Sequence, residues 1–283
     1  MRQIRVKETR NRRYLGAVRF VDNATSGVVR RQLHIDAEGL RFILNQSQLH
    51  VIFSAEGLEN HLSSFFAPPD QPAVESQSYN LTIFDPLREY LPRIKTIKLP
   101  RNADPTIDDS LFEPINVSMF ASASCRLRSN WSIIRASVFD VEDLDHEVPI
   151  PGALLRIKRD EDNKLVGSGL TDQRGEALVI IPGIPITNFV SVEEQPEDGV
   201  LDHEDWLASG DVVEKETPVK LSVVVDKELP WPVDPELLEE KSNAWRRKIK
   251  IKKNGALKNN VNLKLKTGQT QTIKLFVKVS NGS

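Results

Sequence analysis

Gly152-Ala153-Leu154-Leu155-Arg156, running on to Thr171-Asp172-Gln173-Arg174-Gly175-Glu176-Ala177 and Ile181-Pro182-Gly183-Ile184-Pro185, is the stretch that decides the fold. It reads as two strands, a tight turn and a third strand of a small antiparallel sandwich. The turn has a local cause. Asp172 can accept a backbone N–H two residues on, and Gly175 supplies the positive φ that a tight turn needs. Arg174 needs no role beyond turn chemistry.

Working outward, residues 131–139, 164–170 and 221–225 read as further strands of the same sandwich. Trp131 heads a core strand and is expected to be buried. Gly167-Ser168-Gly169, inside the meander, reads as a bulge or a close approach of two backbones. Further upstream, residues 14–22, 33–36, 42–44, 49–53, 79–84 and 94–99 are β-prone, and 115–120 adds another strand. Pro68-Pro69-Asp70-Gln71-Pro72 belongs to a surface loop, because proline cannot donate to a central ladder. Residues 45–58 follow the same course as 172–184: a polar turn, a strand, then a small residue and a glycine. This half-copy points to a tandem of related units.

The expected fold class is therefore all-β, with two tandem β-sandwich domains, one short C-terminal helix and a basic β-rich tail. The boundaries fall at 1–107, 108–228 and 229–283. In the last segment Asp234 can cap a helix whose first position is Pro235. Glu236, Glu239 and Glu240 lie early and Arg246 and Arg247 late, the order the helix dipole favours. Beyond it, Ile249, Ile251, Leu263, Leu265, Ile273, Leu275, Val277 and Val279 alternate with polar residues, as edge-type strands with one wet, basic face do.

Composition narrows the function classes. Hydrophobic residues make up 39% of 283, so each core is modest; 17 prolines and 14 glycines favour many turns. No run of 18 apolar residues exists, so membrane insertion is not expected, and the charged start carries no secretory signal. The single cysteine, Cys125, excludes an internal disulfide and fits a cytoplasmic location; a small buried side chain is the expected role. Net charge is only −2 but uneven. Residues 193–240 hold 16 carboxylates against three lysines, and residues 246–283 hold 11 basic residues and no acidic one. Such segments fit oppositely charged surfaces within the molecule or on neighbours. Without interleaved aromatics the basic end does not read as a nucleic-acid site, so no nucleic acid is expected.

Catalytic patterns are missing. There is no His-Glu-x-x-His, no Gly-x-Ser-x-Gly and no phosphate-cradling loop, so no cofactor or metal is expected and the chain is read as non-enzymatic. Asp202-His203-Glu204-Asp205 and the Asp140/Asp143 pair read as solvated acidic loops. The interaction candidates are Trp231, which its proline neighbours keep out of regular structure, with Trp245, Arg246, Arg247, Lys248 and Lys250.

Two resemblances add to this. Pro149-Ile150-Pro151-Gly152-Ala153 and Gly169-Leu170-Thr171-Asp172-Gln173-Arg174-Gly175-Glu176-Ala177 resemble the carboxypeptidase regulatory-like, or transthyretin-like, β-sandwich family, which implies a transthyretin/immunoglobulin-like sandwich and a non-enzymatic module. Asp85-Pro86-Leu87-Arg88-Glu89-Tyr90-Leu91-Pro92-Arg93, Leu99-Pro100-Arg101, Ser110-Leu111-Phe112-Glu113-Pro114, Asn130-Trp131 and 174–179 look like a bacterial group associated with phage-tail-like contractile injection systems. That resemblance implies a cap or cap-adaptor protein. Its partners would be tail tube, sheath or tail-terminator proteins and further copies of itself in a ring. The alternative is a baseplate or fibre-associated module recognising a receptor or glycan. An iron dioxygenase on a similar sandwich would need two tyrosines and two histidines together, and Tyr14, Tyr79 and Tyr90 all lie in the first domain.

Overall fold

The computed structural model describes residues 14–59, 61, 75–102, 104–141, 147–184, 187–188, 213–214, 216–245, 249–253 and 256–279. The chain divides into two compact units: residues 1–120 with 232–236, and residues 121–231 with 237–283.

Unit 1 contains β1 (Gly16–Asp22), β2 (His34–Asp36), β3 (Leu40–Leu44), β4 (His50–Ala55), β5 (Gln77–Phe84), β6 (Arg93–Leu99) and β7 (Ile115–Met119). They form two sheets, β3-β4-β1-β7 and β2-β5-β6. Every pairing is antiparallel except β7 on β1. Alternation builds the core directly. Val18 and Phe20 of β1, Ile52 of β4, Leu81 and Ile83 of β5, Leu99 of β6, and Val117 and Met119 of β7 all point inward.

Unit 2 contains β8 (Ser132–Asp140), β9 (Leu154–Arg159), β10 (Leu165–Leu170), β11 (Glu176–Ile181), β12 (Thr187–Asn188), β13 (Val213–Glu214) and β14 (Thr217–Val224). The helix α1 (Pro235–Trp245), whose first two residues belong to unit 1, follows, then β15 (Ile249–Lys253), β16 (Ala256–Lys258), β17 (Val261–Leu265) and β18 (Thr270–Val279). The main sheets are β10-β9-β14-β17 and β11-β8-β18-β15-β16, with β12 and β13 as a separate pair. The described residues form an all-β fold that also carries the short helix α1.

The two units share a plan. In each, the first strand (β1 or β8) pairs antiparallel on one side with the strand after the polar turn (β4 or β11). On its other side it pairs parallel with the unit's last strand (β7 or β18). In each, the opposite sheet carries an antiparallel trio, β2-β5-β6 or β9-β14-β17. The third strand differs: β3 joins β4, whereas β10 joins β9 across to the other sheet.

The repeated turns share their closing hydrogen bonds. Gln48 N donates to Asn45 O (3.1 Å) as Gly175 N does to Asp172 O (3.0 Å). Leu49 N donates to Asn45 Oδ1 (2.9 Å) as Glu176 N does to Asp172 Oδ1 (3.0 Å). The left-handed residue is Gln48 (φ 60°) in one and Gly175 (φ 72°) in the other. Only the second needs glycine for space as well: a Cβ there would lie 2.6 Å from Val138 O. Gly167 and Gly169 meet both expectations at once. The β9–β10 register shifts between Leu165 and Gly167. A Cβ at either glycine would stand 2.8 Å from Ile181 Cγ1 or Val179 Cγ2 of β11.

The basic C-terminal segment is built into this plan. β18 lies in the middle of its sheet, between β8 and β15, and Leu275 and Val277 are core residues with Ile251, Val261 and Leu265. Lys264, Lys274 and Lys278 are exposed as a wet face requires, and among the described residues only β16 and β17 of these strands stand at a sheet edge.

Candidate functional site

A dense polar constellation lies in unit 1, where residues 232–236 return to β6. Ile94 N donates to Val233 O (2.9 Å) and Thr96 N to Asp234 Oδ2 (2.9 Å), so the returning segment covers an edge of the three-stranded sheet. The expected helix cap is there: Glu236 N donates to Asp234 Oδ1 (3.2 Å). Arg93 completes the joint. Its side chain is fully buried, and its guanidinium donates to Ile94 O (3.2 Å), Ser118 O (2.5 Å), Asp234 Oδ1 (3.2 Å) and Glu236 Oε2. One residue thus ties β6, β7 and the start of α1 together.

Two carboxylates share this one cation, and they titrate apart. Burial raises the Asp234 carboxyl to about 6, and its hydrogen bond with Glu236 and that group's charge add to the rise. Burial pushes Glu236 upward too, but its hydrogen bond with Asp234 and the charge of Arg93 outweigh it and hold Glu236 at about 2. The signs are opposite. Asp234 contributes stability that is complete below 3.8 and lost as pH rises through about 6. Glu236 contributes stability that is complete above 4.5 and lost as pH falls through about 2. Glu236 keeps 32% of its side chain exposed, so solvent softens its share. Glu236→Gln should therefore cost unit 1 most at neutral pH and progressively less toward pH 2, while Asp234→Asn should cost least above pH 6. Urea titrations that follow β6 amide signals across this range check both; a Glu236→Gln penalty that stays constant into acid would contradict the assignment.

A second network explains the segment before β6. Asp85 is buried and accepts from Leu87 N, Glu89 N and Tyr90 N, each at 3.0 Å. Arg31 pairs with Asp85 (3.4 Å) and Glu89, and its guanidinium lies 5.3 Å from the Tyr90 ring centroid. Tyr90 in turn donates its hydroxyl to Asp22 Oδ2 (2.9 Å). The network joins the loops of Arg31 and of residues 85–90 to the end of β1 at Asp22.

The interaction residues expected from the sequence are dispersed. Trp231 is half-buried just ahead of Pro232 and the returning segment. Trp245 is the last residue of α1, and Lys250 stands opposite Lys278 on β15 and β18. Arg246, Arg247 and Lys248 lie outside the described residues, as do His203 and Asp143. Trp131 is half-buried rather than buried, since it heads its strand at the sandwich rim, where Arg128 covers its ring at 5.3 Å. Cys125 is likewise half-buried. Tyr79 donates to Glu56 O (2.7 Å), and His50 packs edge-on to Phe20 (5.1 Å), where burial lowers its pKa. Among the described residues, no three His, Cys, Asp or Glu side chains converge as a metal site.

No family model and no curated protein matches the sequence. Among solved structures, the Bacillus anthracis TIE protein is similar over 94% of this chain and 34% of its own length, with 9% identity and a TM-score of 0.27. The chain spans about a third of that protein, and a score this low carries no argument.

Sequence reasoning identified Asp234 as a cap but missed Arg93. An arginine following Leu91-Pro92 carries no periodic or motif signal of burial, and its acidic partners lie 141 and 143 residues away. The one available clue was Asp234-Pro235-Glu236: two carboxylates at a helix start that need a cation.

Proposed function

We propose that the chain is a non-enzymatic structural protein of a phage-tail-like contractile injection system, a cap or cap-adaptor protein that binds the end of the tube and sheath. The observation that carries the structural part is how its polar residues are used. Within the stretches that carry the sequence resemblance, Asp85, Arg93 and Asp172 each hold a turn or join strands. Among the described residues the buried charges Asp85, Arg93, Asp226 and Asp234 all hydrogen-bond within the chain, which suits a load-bearing role. The assignment to an injection particle rests on the resemblance of residues 85–93, 110–114 and 174–179.

Affinity capture of the tagged full chain from cells assembling such particles tests this. Tube, sheath or terminator proteins should be recovered at moderate salt. A preparation that recovers none of them would remove the injection-system reading and leave only the joint-rich scaffold. The receptor-binding alternative has one observation in its favour, namely that Leu87 and Phe112 are 69% and 68% exposed on loops.

A further inference from the structure

We propose that the turn of unit 1 carrying Leu87 and Arg88 is a docking tip that inserts into an apolar pocket rimmed by carboxylates on a partner protein. Three exposed apolar side chains sit on or beside two linked loops. Leu87, in the turn after β5, is 69% exposed; Phe84, the last residue of β5, is 41% exposed, and Val28, in the loop after β1, 42%. Tyr90 ties the two loops together through its bond to Asp22, and Arg31 does so through Asp85 and Glu89. Loops held by a rigid scaffold are where binding surfaces are commonly built.

The tip is held outward. Pro86 fixes its own φ, Asp85 O accepts Arg88 N (2.9 Å), and the buried Asp85 carboxylate accepts the amide of Leu87 itself (3.0 Å). Asp and Pro suit the first two positions of a four-residue turn, and glycine suits the fourth. The fourth position here is Arg88, at φ 56°, in the left-handed region where a side chain is strained. The turn alone gives no reason for an arginine there; an exposed charge beside Leu87 does. The charge left at the surface of these loops is positive. Arg30 and Arg88 are exposed, whereas Asp85 and most of Glu89 are buried, with Asp85 on the loop amides and both on Arg31. A rigid aliphatic tip flanked by guanidinium groups complements an apolar pocket with Asp or Glu at its mouth. Because the turn is already formed, docking orders few further bonds. A glycan's hydroxyls would lose hydrogen bonds to water against a leucine without regaining them. The proposal names the docking surface of the structural-component reading and rests on that reading only for which protein supplies the pocket.

Photo-crosslinking of the full chain in the cells that naturally make it tests the tip. With p-benzoylphenylalanine in place of Leu87, one dominant covalent adduct with a different protein is expected. The same group in place of Ser78, exposed at the start of β5, should give none. The peptide joined to position 87 should carry Asp or Glu within a few residues of its apolar side chains. Arg88→Glu should cut the adduct about tenfold or more, and Arg88→Gly about threefold. Arg88→Gly relieves the left-handed strain, so that variant should unfold at no lower urea concentration, and a folding defect cannot explain its loss. No adduct above the Ser78 control, an adduct indifferent to both changes at Arg88, or a joined peptide without carboxylates would each overturn the proposal. So would glycan binding that Leu87→Asp abolishes. An adduct of the expected kind with a protein other than tube, sheath or terminator fails the injection-system reading alone. Tail proteins captured equally by wild type and by Leu87→Asp would instead fail the docking tip alone.

Discussion

Arg93→Ala should destabilise unit 1 by about 3–5 kcal/mol, the cost of removing one partner from a buried ion cluster. The loss is large because the arginine does not act as a simple pair. It leaves Asp234, which is 5% exposed, and the inner part of Glu236 facing each other without a cation, and it strips Ser118 O and Ile94 O of their donor. Arg93→Lys should recover only part of the loss, since an ammonium cannot span four acceptors that a planar guanidinium reaches. Removing Asp234 and Glu236 in the Arg93→Ala background should cost far less than the sum of the separate changes, because the repulsion disappears with them. Unit 1 contains none of the four tryptophans, so their emission cannot report its unfolding. Exchange or chemical shift of the β6 amides supplies the readout, and a loss below about 1 kcal/mol would place Arg93 among ordinary surface pairs.

Deleting residues 246–283 should unfold unit 2 while leaving the strands of unit 1 and their 232–236 segment in place. The deletion removes Ile251, Val261, Leu265, Leu275 and Val277 from the core. Five buried aliphatic side chains at about 2 kcal/mol each amount to about 10 kcal/mol, as much as a whole domain's net stability. It also bares β8 and β14, whose ladders end on β18 and β17. Loss of near-ultraviolet dichroism from Trp131, with preserved β5 and β6 amide dispersion, is the expected result.

Much of this architecture is written in local patterns. β-prone runs marked most of the strands from 16–22 to 217–224 within a few residues, the short pair β12 and β13 excepted, and the polar stretch at 172–176 announced its turn because Asp172 and Gly175 each have a short-range reason to be there. Even the half-copy at 45–58 proved to share hydrogen bonds and strand position with 172–184. Partner choice was not legible. The alternation of Ile273, Leu275 and Val277 says that one face is buried but not against which strand, so an inner strand reads like an edge strand. A lysine-rich wet face reinforced that impression. Arg93 shows the same limit for polar groups, since charge patterning in sequence is read over a few residues and its joint closes over 141.

That the basic C-terminal segment is an internal part of its sandwich, equivalent to β7 in unit 1, is the claim on which the rest depends. Native-state hydrogen exchange of the intact chain tests it most directly. The amides of Ile273, Leu275 and Val277 should be as protected as those of Ile134, Ala136 and Val138 on β8, and should open with them as one cooperative unit. Exchange of β18 at the rate of an unstructured tail, with β8 still protected, would contradict the account.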